Sequence, residues 1–195
     1  KPVEIKRKGL DSNYHIYQTA LVELNPESEK DYLSLNKTNC EWGNCKTILH
    51  DITKIFNFLH QKIRESQQER FFGITEQKEN FENLDHNKIL GILQTRRNSS
   101  GKLEIENLQV SPETNFDAIV RKHKNIGRAL LTGVKEIFKD EKEIVVNALE
   151  SAVPFYEKLG FIKTAKKNIM IIWTETMIME EYSIKQNWGN ICLPI

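Results

Sequence analysis

Between Arg121 and Leu131 the chain reads RKHKNIGRALL, three cations in four residues followed by a glycine and an apolar pattern of helical period. That pattern runs on through Ile126, Leu130, Val134, Ile137 and Phe138 and predicts an amphipathic helix with Gly127 in its first turn. A helix start presents amide hydrogens without carbonyl partners and carries about half a positive elementary charge. A phosphate placed there gains both hydrogen bonds and field. Lys122, Lys124 and Arg128 would add full charges, and Gly127 would let the backbone come close to the anion. The same letters also describe a solvated basic loop before an ordinary surface helix, and the segment alone leaves both readings open. A second stretch, VNALESAVPFYEKLGF from Val146 to Phe161, has mostly structural explanations: Ser151 suits an N-cap, Pro154 a first helical turn, and Gly160 with Phe161 a helix stop. Asn147, at the end of an apolar strand, and Tyr156, on the short helix beyond it, are left over. A phenol so placed either finds a buried hydrogen-bond partner or donates a proton.

In KLEIENLQV, Leu103 and Ile105 share one parity while Leu108 and Val110 share the other. A regular strand would send one pair to the wrong face, so either a β-bulge lies between Ile105 and Leu108 or the strand is apolar on both sides. A bulge would splay this strand from its neighbour and free backbone groups for a ligand.

The elements that must position these residues read as follows. YHIYQTALVEL is an early strand, and Asn25 to Asn44 is a loop or a short irregular helix. From Thr47, the residues Ile48, Ile52, Ile55, Phe56, Leu59 and Ile63 recur at three- and four-residue steps and mark a helix. RFFGIT, KILGILQT and KLEIENLQV form an antiparallel meander. Then come the helix from Ile126 to about Lys139, the strand EIVVNAL, the short helix SAVPFYEKLG, and strand candidates in FIKTA, NIMIIW and MIMEEYSI. Strand, helix, strand between Val110 and Leu149 implies a parallel pair joined by a crossover.

A chain of 195 residues is enough for one domain with a sizeable core, so a single domain over 1–195 is expected, with a tail at 184–195. The 28 Lys and Arg against 27 Asp and Glu leave a net charge of +1, which nominates no nucleic-acid partner. No apolar run is long enough for a bilayer, and the start KPVEIKRKG lacks the hydrophobic segment of a signal peptide. The expectation is a cytoplasmic protein without membrane or nucleic-acid partners, with a homodimer possible. Cys40, Cys45 and Cys192 lack a second ligand pair at metal spacing, so reduced thiols and no metal are expected.

The order LEIENLQVSPE, KHKNIGRALL, VNALESAVPFYEKLGF resembles the GNAT superfamily of acetyl-CoA-dependent N-acetyltransferases over about residues 71–179, with the strand and helix at 14–68 joining the same domain. The family's pyrophosphate motif falls on Lys122, Asn125 and Gly127, where Lys replaces Gln or Arg and Asn replaces the first Gly. Asn is the substitute that best visits left-handed backbone. The resemblance implies an α+β fold with a central mixed, mostly antiparallel sheet, one splayed parallel strand pair, and flanking helices. It implies acetyl-CoA as cofactor, held by the backbone of Leu108 and Val110, by Lys122, His123, Lys124, Asn125, Ile126, Gly127 and Arg128, and oriented by Asn147. It further implies transfer of an acetyl group to a primary amine, on a small molecule or a peptide, by direct attack on the thioester. Glu106 or Glu104 would act as base, with Glu106 nearer the gap, and Tyr156 as general acid. A non-catalytic module that senses acyl-CoA is the alternative.

Overall fold

The computed structural model describes residues 2–11, 13–42, 48–61, 69–75, 89–112 and 122–173. Strands β1 (Pro2–Lys8), β2 (Tyr14–Leu24), β3 (Glu69–Thr75), β4 (Ile89–Arg97), β5 (Leu103–Val110), β6 (His123–Lys124), β7 (Glu143–Asn147), β8 (Ile162–Lys163) and β9 (Ile169–Trp173) form one sheet in the order β6-β1-β2-β3-β4-β5-β7-β9-β8. Its helices are α1 (Glu29–Glu41), α2 (Ile48–Gln61), α3 (Ile126–Ile137) and α4 (Val153–Glu157). Among the described residues β5 and β7 are the one parallel pair. The α+β class and the meander from β2 to β5 follow the sequence expectation.

The runs FF in β3 and ILGIL in β4 bury both faces of the sheet. Phe72, Leu93 and Leu103 pack with Leu130 and Val134 of α3, whereas Phe71 and Ile92 pack with Leu35 of α1 and Ile52 and Phe56 of α2. Two cores therefore sandwich the sheet, one under α3 and α4 and one under α1 and α2.

Two elements differ from the expectation. Residues 29–41 form a regular helix of 13 residues where a loop or a short irregular helix is expected. Its apolar face is thin, with Leu35 as its one fully buried large side chain, so the periodicity is faint. The helix is set instead by its ends and by α2. Ser28 Oγ accepts from the Asp31 amide at 3.3 Å, Asp31 accepts from the Asn25 amide at 2.8 Å, and Asn36 and Asn57 exchange side-chain hydrogen bonds of 3.0 Å. The other difference is β1, Pro2–Lys8, a segment to which the sequence reading assigns no element. Only Ile5 in it is deeply buried, at 1% exposure, and the strand is fixed by its pairing with β2. The candidates MIMEEYSI and the tail lie outside the described residues.

Candidate active site

The parity break in β5 is resolved by a bulge. Gln94 pairs with Asn107 but Thr95 pairs with Ile105, so Glu106 is the extra residue. Leu103 and Ile105 before it, and Leu108 and Val110 after it, consequently all pack against the α3 core. The bulge coincides with the end of the parallel ladder: the last registered pair of β5 and β7 is Ile105 with Val146. Beyond it β5 continues to Val110 alongside β4 alone, and β7 ends one residue later, at Asn147, still paired with β9. The two strands part at Glu106.

A cleft of about 710 Å³ opens on the α3 side of this gap, between the end of β5, the start of α3 and α4. Its wall includes Leu108, Val110, His123, Lys124, Asn125, Ile126, Gly127 and Arg128, eight of the residues assigned to cofactor binding from the sequence. Asn125 sits just before α3 with φ 68° and ψ 12°, left-handed backbone, and makes no side-chain cap. The first helical hydrogen bond runs from the Ala129 amide to the Asn125 carbonyl at 2.9 Å. The amides of Ile126, Gly127 and Arg128 therefore precede the helical ladder. A Cβ at Gly127 would stand 3.1 Å from Cζ of Phe155 and 3.7 Å from Cδ2 of Leu108, so a side chain there would crowd the cleft. Asn125→Ala should cost about 1–2 kcal/mol of stability from left-handed strain, and Asn125→Gly should not; denaturant unfolding of the two variants checks this.

Several assigned residues have other partners or lie outside the wall. His123 and Lys124 form the edge strand β6, paired with Arg7 and Lys6, and His123 is 4% exposed. The Lys124 ammonium lies 3.8 Å from the centroid of the Tyr14 ring, a cation–π contact that competes with a phosphate for its charge. Lys122 is exposed and lends its carbonyl to the Lys8 amide at 2.8 Å; it is outside the cleft wall. So is Asn147, which is exposed at the end of β7. The wall instead gains Ser151, Phe155 and Lys158 from the segment around α4. Lys158 is the useful addition, a third cation on the wall with Lys124 and Arg128. It lay unremarked in a stretch whose letters were already explained by helix caps.

Tyr156 stands behind the wall. It is 7% exposed, with its ring edge-on to Phe155 at 5.2 Å and to Phe161 at 5.3 Å. The hydroxyl takes no hydrogen bond among the described residues. Burial pushes the phenol up to about 12, so it stays protonated across the physiological range.

On the opposite, α1 and α2 side of the sheet, Glu106 belongs to a polar ring. Arg96 Nη2 is 2.6 Å from Glu106 Oε1, and Arg96 Nε is 4.0 Å from Glu69 Oε1. Gln94, 1% exposed, donates to Glu69 Oε2 at 2.7 Å and accepts from Asn107 Nδ2 at 2.7 Å. Asn107 follows Glu106 in the chain, which closes the ring. Glu104 accepts from Asn98 at 2.6 Å. Burial raises the Glu106 carboxyl above its ordinary value; Arg96 pulls it down, and Glu104 and Glu69 push it further up. Sequence reasoning missed Glu69, Gln94 and Arg96, because only the register of β3, β4 and β5 brings them to the bulge.

A nine-stranded sheet with a bulged strand splayed from its parallel neighbour, over a helix whose bare first turn faces the gap, defines an acetyltransferase-type fold. A family model described as the acetyltransferase (GNAT) domain matches residues 49–180, and the chain belongs to that family of acyltransferases. No curated protein matches the sequence. Among solved structures, a protein of Exiguobacterium sp. 255-15 described as an acetyltransferase superposes with a TM-score of 0.53 at 18% identity, covering 84% of this chain and 97% of its own. AtaT in complex with acetyl-methionyl-tRNAfMet superposes with a TM-score of 0.55 at 14% identity, covering 84% and 99%. AtaT is also solved with acetyl-CoA and the C-terminus of the antitoxin AtaR, and, within the AtaT–AtaR complex, with DNA. At these identities the likeness is one of fold.

The AtaT complexes correct one expectation. The net charge nominates no nucleic-acid partner, yet this fold occurs in tRNA-bound and DNA-bound assemblies. A global sum of +1 says nothing of how the cations are distributed, and it is local potential that attracts a polyanion. Among the described residues no helix is long and apolar enough to cross a membrane.

Proposed function

We propose that the chain transfers an acetyl group from acetyl-CoA to a primary amine through the gap between β5 and β7. The observation that carries this reading is the coincidence of three features: the bulge at Glu106, the end of the parallel ladder at Ile105, and the bare first turn of α3 on the same cleft. Residues present fit the cofactor. The amides of Ile126, Gly127 and Arg128 would cradle a diphosphate at the helix start, with Arg128 and Lys158 supplying charge. Leu108 and Val110 offer the unpaired edge of β5 to an extended amide-bearing arm. When bound, acetyl-CoA supplies an activated thioester.

The chain's own groups then divide the work. An aliphatic ammonium, with a pKa near ~10.4, must lose a proton before its lone pair can attack, which costs about 4.6 kcal/mol at neutral pH. Glu106 accepts that proton, directly or through water, from the α1 and α2 side. Tyr156, whose ring lies directly behind the cleft wall, would donate a hydrogen bond to the sulfur as charge develops there. A phenol at about 12 is a weaker acid than a thiol near ~8.5, so its contribution is stabilisation of the departing thiolate, and solvent completes the protonation. No side chain is acylated.

The experiment is mass spectrometry of the purified protein with acetyl-CoA and a panel of primary amines: alkylamines, amino acids, peptides and aminoacylated tRNA. A mass gain of one acetyl group on a panel member is expected. Release of free coenzyme A at the buffer rate with every acceptor would contradict the reading.

A further inference from the structure

The ring around Glu106 contains a cation that the transfer chemistry does not use. Arg96 reaches Glu106 through Nη2 at 2.6 Å and, through Nε, stands 4.0 Å from a second carboxylate, Glu69. We propose that Arg96 is an internal stand-in for the acceptor's ammonium group, holding Glu106 until an amine arrives and then moving onto Glu69. This rests on Glu106 being the acceptor-side carboxylate of the proposed reaction.

Three observations support it. The guanidinium shows where the site itself seats a cation: at one Glu106 oxygen, at the bulge, where β5 has already left β7. A receiving place is ready, because Glu69 is only 16% exposed in its side chain and is pinned by the amide of the fully buried Gln94 at 2.7 Å. A small rotation of the guanidinium turns its loose contact with Glu69 into a direct pair. Arg96 is also free to make that rotation, since its side chain is 44% exposed and an ion pair this open is worth at most about 1 kcal/mol. Among the described residues, the charges that face Glu106 are Glu69 from β3, Arg96 from β4 and Glu104 from β5. Glu69, Glu104 and Glu106 make three carboxylates against one guanidinium, so an arriving monocation reduces the imbalance and an arriving carboxylate worsens it. The exchange therefore selects for amines that enter as ammonium ions and against acceptors with an acid group beside the amine.

The test uses the full chain with glutamate labelled at its carboxyl carbon, titrated with butylammonium chloride in the presence of coenzyme A and followed by NMR. Tetramethylammonium chloride serves as the ionic-strength control. In the parent protein the Glu106 and Glu69 signals should move together along one binding curve, because Arg96 leaves one for the other. In Arg96→Gln only Glu106 should respond, with an affinity about two- to fivefold tighter, the range an exposed ion pair allows. Arg96→Lys, which keeps a movable cation, should retain the Glu69 response. A parent protein in which Glu69 stays still, equal shifts from tetramethylammonium, or weaker butylammonium binding in Arg96→Gln would each overturn the exchange. Absence of acetyl transfer with these NMR responses intact would instead remove the catalytic reading and leave the exchange standing.

Discussion

Tyr156→Phe should lower turnover by about 100- to 1,000-fold, the usual cost of removing one fixed donor from a site of developing charge, while coenzyme A affinity stays at the parent value. The change deletes one oxygen and leaves the ring between Phe155 and Phe161, where the packing is edge-on and apolar. The hydroxyl holds no other described residue, so thermal unfolding should be unchanged or slightly improved. Stopped-time assays with a saturating amine, beside calorimetry with coenzyme A, separate the two effects. They also separate an enzyme from a module that only senses acyl-CoA, since a sensor would keep its full function in Tyr156→Phe.

The second large effect concerns Glu106. As base it must be ionised, so activity should fall as the pH drops through its pKa. Burial places that pKa above the ordinary carboxylate value, and the acidic limb of kcat/KM should therefore lie above the usual range near ~4.3. Glu106→Gln should abolish that limb and reduce kcat/KM near neutrality by about 100-fold or more, as expected for loss of a positioned base. Glu104 tests the sign. Its charge and hydrogen bond push the Glu106 carboxyl up, so Glu104→Gln should move the limb to lower pH while keeping it. A limb that survives Glu106→Gln and vanishes in Glu104→Gln would exchange the two roles.

How much of this the sequence carried depends on the range of the interaction. The parity change between Ile105 and Leu108 is a local pattern, and it located the bulge; the residue that bulges, Glu106, became definite only from the register with β4. The left-handed turn at Asn125 was legible from residue type, because few other side chains tolerate φ near 68°. What stayed hidden was set by pairing. EIKRK becomes β1 only beside β2, and HK becomes β6 only beside β1, so His123 and Lys124 reach the cleft wall from an edge strand. Asn147 was placed near the cofactor by sequence position, but at the end of β7 it is exposed, outside the cleft wall. The α1 helix shows the same limit in another form: capping at Ser28 and amide exchange between Asn36 and Asn57 fix it with hardly an apolar stripe.

The most direct measurement is a calorimetric titration of the protein with coenzyme A, repeated in Gly127→Val and at raised salt. The account predicts saturable one-site heat, weakened by salt because the grip on the diphosphate is partly electrostatic, and lost in Gly127→Val because even the added Cβ would stand 3.1 Å from Phe155. No heat in the parent protein, or equal binding in Gly127→Val, would contradict it.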